Sequence, residues 1–376
     1  MCSHLRPHPL LGNCAMPTRP KSLTPIGRSA GVAPPNRFER IHVEEDFEQL
    51  DASDESLEPG RLPTEFLPDQ SRSVIVSNNS PDVPFRYSIN PYRGCEHGCA
   101  YCYARPSHEL LGMNAGLDFE SRILVKFDAA ARLRGELADP KWSGDFIAIS
   151  GVTDCYQPAE RRFRITRGCL KVMLEARQAL GIVTKNALVA RDLDLLASLA
   201  AANLAHVFVS LTTLDADLAR MLEPRTATPA ARLRAIRALS AAGVPTGVMT
   251  SPIIPGLNDQ ELPALLAAAK EAGARSASYI LLRLPLAVRP IFEEWVTRSL
   301  PERAPRVLGL IRETRGGRMS DSRFGSRMSG QGPYAEGIEK TFQVFRKKHG
   351  LDRPLPPLDT TQFRPPHPTS GQLSLF

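Results

Sequence analysis

Six short apolar runs, each followed by an amphipathic segment, fill residues 85–284, and this alternation constrains the fold more than any other feature of the chain. The runs are FRYSIN (85–90), FIAIS (146–150), GIVTK (181–185), HVFVSLT (206–212), VPTGVMT (244–250) and SASYILLRL (276–284). Strands alternating with helical periodicity read as parallel βαβ units, and runs this continuously apolar suit a sheet covered on both faces. A helix over 166–181 closes on Gly181 and another contains RDLDLLASLAAA. Thr228 and Pro229 open a third as N-cap and first-turn residue, with Leu233, Ile236 and Leu239 on one face and Gly243 at its end. DQELPALLAAAKEAG supplies a fourth. Six such units predict an α/β fold, a partial (β/α)6 TIM-type barrel open on one side. Periodicity alone does not separate that wrap from an open doubly wound sheet. In both, polar groups at the C-terminal ends of the strands line the site.

The flanks read differently. Residues 1–80 are rich in Pro, Ser and Arg and turn acidic through Glu44–Glu58. No helical or strand period persists there, so an irregular tail, largely disordered or surface-wrapping, is expected before a barrel at 81–300. Residues 301–376 form a small C-terminal extension: an Arg- and Gly-rich stretch (RETRGGRMSDSRFGSRMSGQGPY), a helix (AEGIEKTFQVFRKKHG) and a Pro-rich end. No run reaches the roughly 18 apolar residues of a membrane span, and the N-terminus lacks the apolar core of a secretory signal. The expected location is cytoplasmic, with no membrane partner. Lysine and arginine outnumber the acids 47 to 40, a formal charge of +7 that favours an anionic partner only weakly.

The chemistry concentrates in NPYRGCEHGCAYCYAR (90–105), where Cys95, Cys99 and Cys102 stand in C-x3-C-x2-C spacing on a glycine-containing loop directly after a strand. Seven cysteines without a framework spacing, in a reducing compartment, point to metal or catalysis rather than cross-linking. Close soft thiolates select zinc or an iron–sulfur cluster. Clusters usually take four cysteines, so three suggest one iron left open. The zinc alternative needs His97 or a remote cysteine as fourth ligand and lacks the second pair such sites usually carry.

The C-x3-C-x2-C loop with Tyr101 before and Tyr103 after the last cysteine resembles the radical SAM superfamily. SGVTD (150–154), VTKN (183–186), FVSLTT (208–213), LEPRTATPAARL (222–233) and GVMTSPIIPG (247–256) resemble, in order, its spore photoproduct lyase-like branch. The resemblance covers roughly residues 85–285. It implies that Cys95, Cys99 and Cys102 hold a [4Fe–4S] cluster whose open iron is chelated by S-adenosyl-L-methionine. One electron then cleaves the sulfonium to a 5′-deoxyadenosyl radical that abstracts a hydrogen. By position, Tyr101 lies against the adenine, with Tyr103 also at the cofactor. Lys185 and Ser210 match the positions that hold the methionyl carboxylate and its polar neighbours. Ser251 matches a backbone contact to the amine, Ser150 and Asp154 a contact to cofactor or substrate, and Arg232 a partner for a carboxylate. The branch carries a hydrogen-donating cysteine where this chain has Gly151; Cys155, four residues on, is the candidate replacement as catalytic residue. Cys169 reads as packing.

The function so implied is a lyase-like radical SAM enzyme supplied with electrons by a flavodoxin- or ferredoxin-type reductant. Its candidate substrate is nucleic acid, which the arginines of 312–327 would meet through phosphates. Two other classes compete: a non-catalytic nucleic-acid-binding protein with a zinc loop, and an electron carrier using the cluster alone. The oligomeric state is not readable.

Overall fold

The computed structural model describes residues 27–38 and 62–367. Ten strands appear in chain order: β1 (Glu65–Pro68), β2 (Ile75–Ser77), β3 (Tyr87–Ile89), β4 (Tyr92–Arg93), β5 (Arg122–Val125), β6 (Ile147–Ile149), β7 (Leu180–Thr184), β8 (Ala205–Ser210), β9 (Thr246–Ile253) and β10 (Ser276–Leu281). Seven form the main sheet in the order β10-β9-β8-β7-β6-β3-β2, and β1-β5-β4 form a small second sheet. From β3 to β10 every neighbour is parallel, and only β2 runs antiparallel, on the edge of β3.

This order settles which wrap the six units take. A doubly wound sheet reverses direction at a switch point. Here each new strand joins the free edge of its predecessor, so crossovers of one hand place every helix on the same face. Alternation along the strands agrees. Ile147, Ile149, Leu180, Ile182, Val207, Val209 and Val248 lie in one buried core with helical Leu170, Met173, Leu196, Leu199, Ile236 and Leu265. Residues of the opposite parity, Val183, Phe208, Met249 and Ile280, are only half-buried and form the concave wall. There the Phe146 and Phe208 rings lie across Gly181 and Gly247, where any Cβ would collide with them. Thr228 Oγ1 caps Pro229–Ala241 by accepting from Ala231 N–H, and Gly243 terminates it at φ +78°. The helix expected to close on Gly181 instead ends at Glu175, and Gly181 lies within β7.

The two edge strands of the main sheet, β10 and β2, do not pair. A single helical turn, Ser326–Ser329, bridges them. On one side Arg315 donates to the carbonyls of Leu281 (3.2 Å) and Leu282 (2.6 Å) and to those of Ser326 and Arg327. On the other, Arg327 pairs with Asp82 and donates to Ser80 Oγ (2.7 Å), both between β2 and β3, while Gly325 N–H donates to Asp82. The open side of the barrel is therefore walled by the C-terminal extension. That extension also covers the N-terminal ends of the strands: Asp359 N–H donates to Asn203 carbonyl, Arg364 N–H to Ala176 carbonyl, and Phe363 fills the space at Gly144.

Within the segment read as an irregular, disordered or surface-wrapping tail, residues 62–80 contain two strands, and residues 27–38 lie against the body of the protein. β1 joins β5, β2 extends the main sheet, and in 27–38 Ser29, Ala30 and Asn36 are buried. Residues 1–26, 39–61 and 368–376, including Cys2, Cys14 and the acidic stretch Glu44–Glu58, lie outside the described residues.

Candidate active site

The cysteine loop leaves β3 at the C-terminal end of the barrel. Gly94 (φ +77°) and Gly98 (φ +63°) turn it through left-handed backbone that favours glycine. Its amides and carbonyls are pinned from all sides. Cys95 N–H donates to Phe119 carbonyl (2.9 Å), Ala100 N–H to Leu222 carbonyl (3.1 Å), and Gln157 takes both Glu96 N–H (2.8 Å) and Gly94 carbonyl (3.1 Å). Arg105, fully buried, donates to the carbonyls of Cys99, Ala115 and Gly116 and pairs with Glu120 at 2.7 Å. Glu120 in turn accepts the N–H groups of Ser29 (3.2 Å) and Ala30 (3.0 Å), so the N-terminal segment straps the outside of the loop.

The three thiols are chemically suited to iron. Burial pushes all of them above the usual thiol range. At Cys95 the N–H groups of His97 and Asp154 pull the other way, as do those of Ala104 and Arg105, together with the Arg105 charge, at Cys102. Buried sulfurs aimed at by N–H donors lack only a cation to ionise them, which a bound iron cluster supplies. Among the described residues no three His, Cys, Asp or Glu side chains converge as a single-ion site. A cluster, in which each of three irons takes one thiolate, does not ask for such convergence.

His97, the would-be fourth zinc ligand, has both ring nitrogens engaged. Nδ1 faces Asp154 at 3.5 Å, and Nε2 accepts from Asn186 Nδ2 at 3.2 Å, an assignment that leaves the ring neutral, as its burial favours. Asp154 is equally occupied: it accepts from Thr184 Oγ1 (2.8 Å), Lys185 N–H (2.7 Å) and Tyr156 N–H (2.8 Å). It ties the ends of β6 and β7 to the cysteine loop.

Sequence reasoning missed the hub of the site, Glu223. Fully buried between β8 and the helix at Pro229–Ala241, it accepts from Tyr101 hydroxyl and Thr212 Oγ1 (2.7 Å), pairs with Arg232, and stands 3.9 Å from Lys185 Nζ. Burial raises its pKa, but Arg232 and Lys185 overcome that and hold it at about 2. The only sequence signal was an acid in LEPRT between a strand end and a helix cap.

The expected cofactor residues sort into two groups. Lys185 Nζ donates to Ser251 carbonyl (3.1 Å) and sits 5.7 Å from the centre of the Tyr101 ring. Ser251 Oγ is buried with no hydrogen-bond partner among the described residues, and Ser210 is buried one strand over. Tyr103, half-exposed, reaches across the mouth to donate to Gly151 carbonyl (2.9 Å). Lys185 lies within electrostatic reach of Cys99 and Cys102, Tyr101 of Cys99 and Tyr103 of Cys102. Two others are engaged elsewhere. Arg232 spends its guanidinium on Glu223, Thr226 Oγ1 and the carbonyls of Ser210 and Ala227, so its carboxylate partner is the protein's own. Cys155, expected to overlook the mouth, is fully buried in the helix-side core, because its N–H donates to Ser150 Oγ (2.7 Å) and its carbonyl accepts from Thr166 (2.6 Å), folding the loop inward. Ser150, at φ +74°, serves that turn. Cys169 packs in the same core.

The family model described as Radical SAM superfamily matches residues 89–269. An uncharacterised protein of Mycobacterium tuberculosis is 41% identical over 236 residues, 62% of this chain and 69% of that one. An uncharacterised protein of Methanocaldococcus jannaschii is 32% identical over 176 residues, 47% of this chain and 63% of that one. Among solved structures, a spore photoproduct lyase variant with bound AdoMet and dinucleoside spore photoproduct aligns at TM-score 0.55 and 16% identity, covering 76% of this chain and 78% of that one. Spore photoproduct lyase complexed with dinucleoside spore photoproduct aligns at TM-score 0.51 and 18% identity, over 72% and 76% of the two chains. At such identities the likeness is one of fold, a TIM-type partial barrel.

Proposed function

The chain belongs to the radical SAM superfamily, and from that premise we propose that it abstracts a hydrogen atom from a nucleic acid strand by a lyase-like reaction. Membership carries the [4Fe–4S] cluster and S-adenosyl-L-methionine as its cofactors. When bound, they supply one-electron cleavage of the sulfonium and a 5′-deoxyadenosyl radical for the abstraction. Cys95, Cys99 and Cys102 would hold the cluster, and Arg105 fixes their loop by gripping the Cys99 carbonyl. Lys185 would pair with the methionyl carboxylate, Ser210 and Ser251 offering polar contacts beside it, and Tyr101 would bear on the adenine. Glu223 orients this set by holding Tyr101 and balancing Lys185.

One observation carries the reading: Lys185 Nζ stands on the Ser251 carbonyl and beside the Tyr101 ring, within electrostatic reach of the Cys99 and Cys102 thiols, which burial keeps from ionising. An electron carrier has no use for such a cradle. Gly151 provides no thiol for hydrogen return and Cys155 is buried, so the proposal stops at abstraction. The reductant would be of flavodoxin or ferredoxin type, in the cytoplasm, where thiols stay reduced.

The test is anaerobic reconstitution with iron and sulfide, reduction, and assay of S-adenosyl-L-methionine without substrate. Slow formation of 5′-deoxyadenosine is expected. A colourless protein holding one zinc, or a reducible cluster that leaves the sulfonium intact, would overturn the reading.

A further inference from the structure

Arg283 lies two residues beyond β10, at the mouth of the barrel, with its side chain half-buried. Its one hydrogen-bond partner among the described residues is a weak acceptor, Met328 Sδ at 3.5 Å. No carboxylate among them stands within ion-pair distance of it. Asp82, whose charge reaches Arg283, is engaged by Arg327 and by Gly325 N–H. Burial lowers the Arg283 pKa and Arg327 adds to that, while Tyr103 and Asp82 only partly offset them. A partly desolvated guanidinium with its planar fork of donors unused is a ready site for an oxyanion.

The surroundings narrow the oxyanion. Arg283 is within electrostatic reach of the Tyr103 hydroxyl, which borders the cysteine loop. On its other side Arg327 stacks at 4.3 Å over the Phe324 ring, and Phe324 is 61% exposed. Beyond them Arg315, Arg318 and Arg323, with Asp321 and Gln331, border a cavity of about 500 Å³. A lone carboxylate would need one guanidinium. Arg315 is spent on carbonyls, Arg323 on Asp321 and Arg327 on Asp82, so among the described residues Arg283 and the exposed Arg318 are the arginines here without a carboxylate. Such guanidiniums next to an exposed aromatic suit phosphates with a base between them.

We propose that Arg283 recognises a phosphodiester of a single-stranded nucleic acid and so sets which part of the strand faces the cysteine loop, with Phe324 on Arg327 as the adjoining base platform. The inference rests on the proposed function and names the residue that selects its substrate.

The experiment measures fluorescence anisotropy of a labelled single-stranded thymidylate dodecamer with the reconstituted protein across a salt series. Wild type should bind, with log affinity falling as log salt rises. R283Q should bind about tenfold or more weakly, with a salt slope smaller by about one, and R283K should recover the slope. F324A should lose affinity without changing the slope. Iron content and visible absorbance serve as the fold control for each variant. Equal affinity and slope in wild type and R283Q, or no binding by wild type, overturns the inference. If wild type and R283Q bind alike and the protein still cleaves S-adenosyl-L-methionine, the proposed function stands and only the role of Arg283 falls; if wild type does not bind, the nucleic acid substrate falls with it.

Discussion

The Tyr101 hydroxyl donates to the Glu223 carboxylate, joining residues 122 positions apart in the chain. Tyr101 sits between Cys99 and Cys102 and Glu223 follows β8, so this one contact locks the cysteine loop to the strand ends that carry Ser210 and Thr212. The same carboxylate neutralises Arg232 and faces Lys185. Removing it would leave buried cations without a counter-charge.

Glu223→Gln should therefore destabilise the apoprotein by about 3–5 kcal/mol, the usual cost of breaking a buried pair from one side. Urea unfolding of the two proteins measures it. A difference below about 1 kcal/mol would mean that the contact behaves like a surface pair.

Replacing Cys95, Cys99 or Cys102 singly with alanine should abolish visible absorbance and acid-labile sulfide. Cys155→Ala and Cys169→Ala should keep both, since these thiols belong to the helix-side core. Full iron retention in Cys99→Ala would sink the ligand assignment.

His108 predicts an acid-sensitive step. It is fully buried, with Nε2 at 3.0 Å from the Arg122 carbonyl and its ring edge-on to Phe119. Burial lowers its pKa to about 4, which the carbonyl and Asp118 only partly offset, and Arg122 and Arg105 lower it further. The unfolded chain binds the proton near pH 6.5 and the folded one only near 4, so between these values stability falls as pH falls. The loss should approach about 3 kcal/mol. Urea midpoints at pH 7 and pH 4.5 check it: His108→Gln, which can keep the carbonyl bond, should show a flatter pH dependence than wild type.

The sequence resemblance sets Gly151 at the position of the branch's hydrogen-donating cysteine. A Cβ there would meet Ser88 Cβ at 3.0 Å and Oγ at 3.2 Å. Gly151→Cys should cost about 1–3 kcal/mol through crowding, and Ser88→Gly in the same chain should return part of that. A double-mutant cycle reads the coupling; strictly additive effects would show that Ser88 does not exclude a side chain from this position.

The barrel strands were legible because each is a short apolar run between helical segments, and all six appear as β3, β6, β7, β8, β9 and β10. The cysteine spacing likewise announced its chemistry. Three things were not legible. β1 and β2 are too short to show a period, and they form strands only because β5 and β3 offer them edges. Glu223 is one acid among many until the fold buries it between Arg232 and Lys185. Cys155 looked available because its loop follows a strand end, but hydrogen bonds to Ser150 and Thr166, invisible in sequence, turn it into the core.

The wall that Ser326–Ser329 builds across the barrel also has a temporal meaning. Its residues follow all six barrel strands in the chain, so the ribosome releases the strands and the cysteine loop before the piece that encloses them exists. During synthesis the trough is open along its whole length.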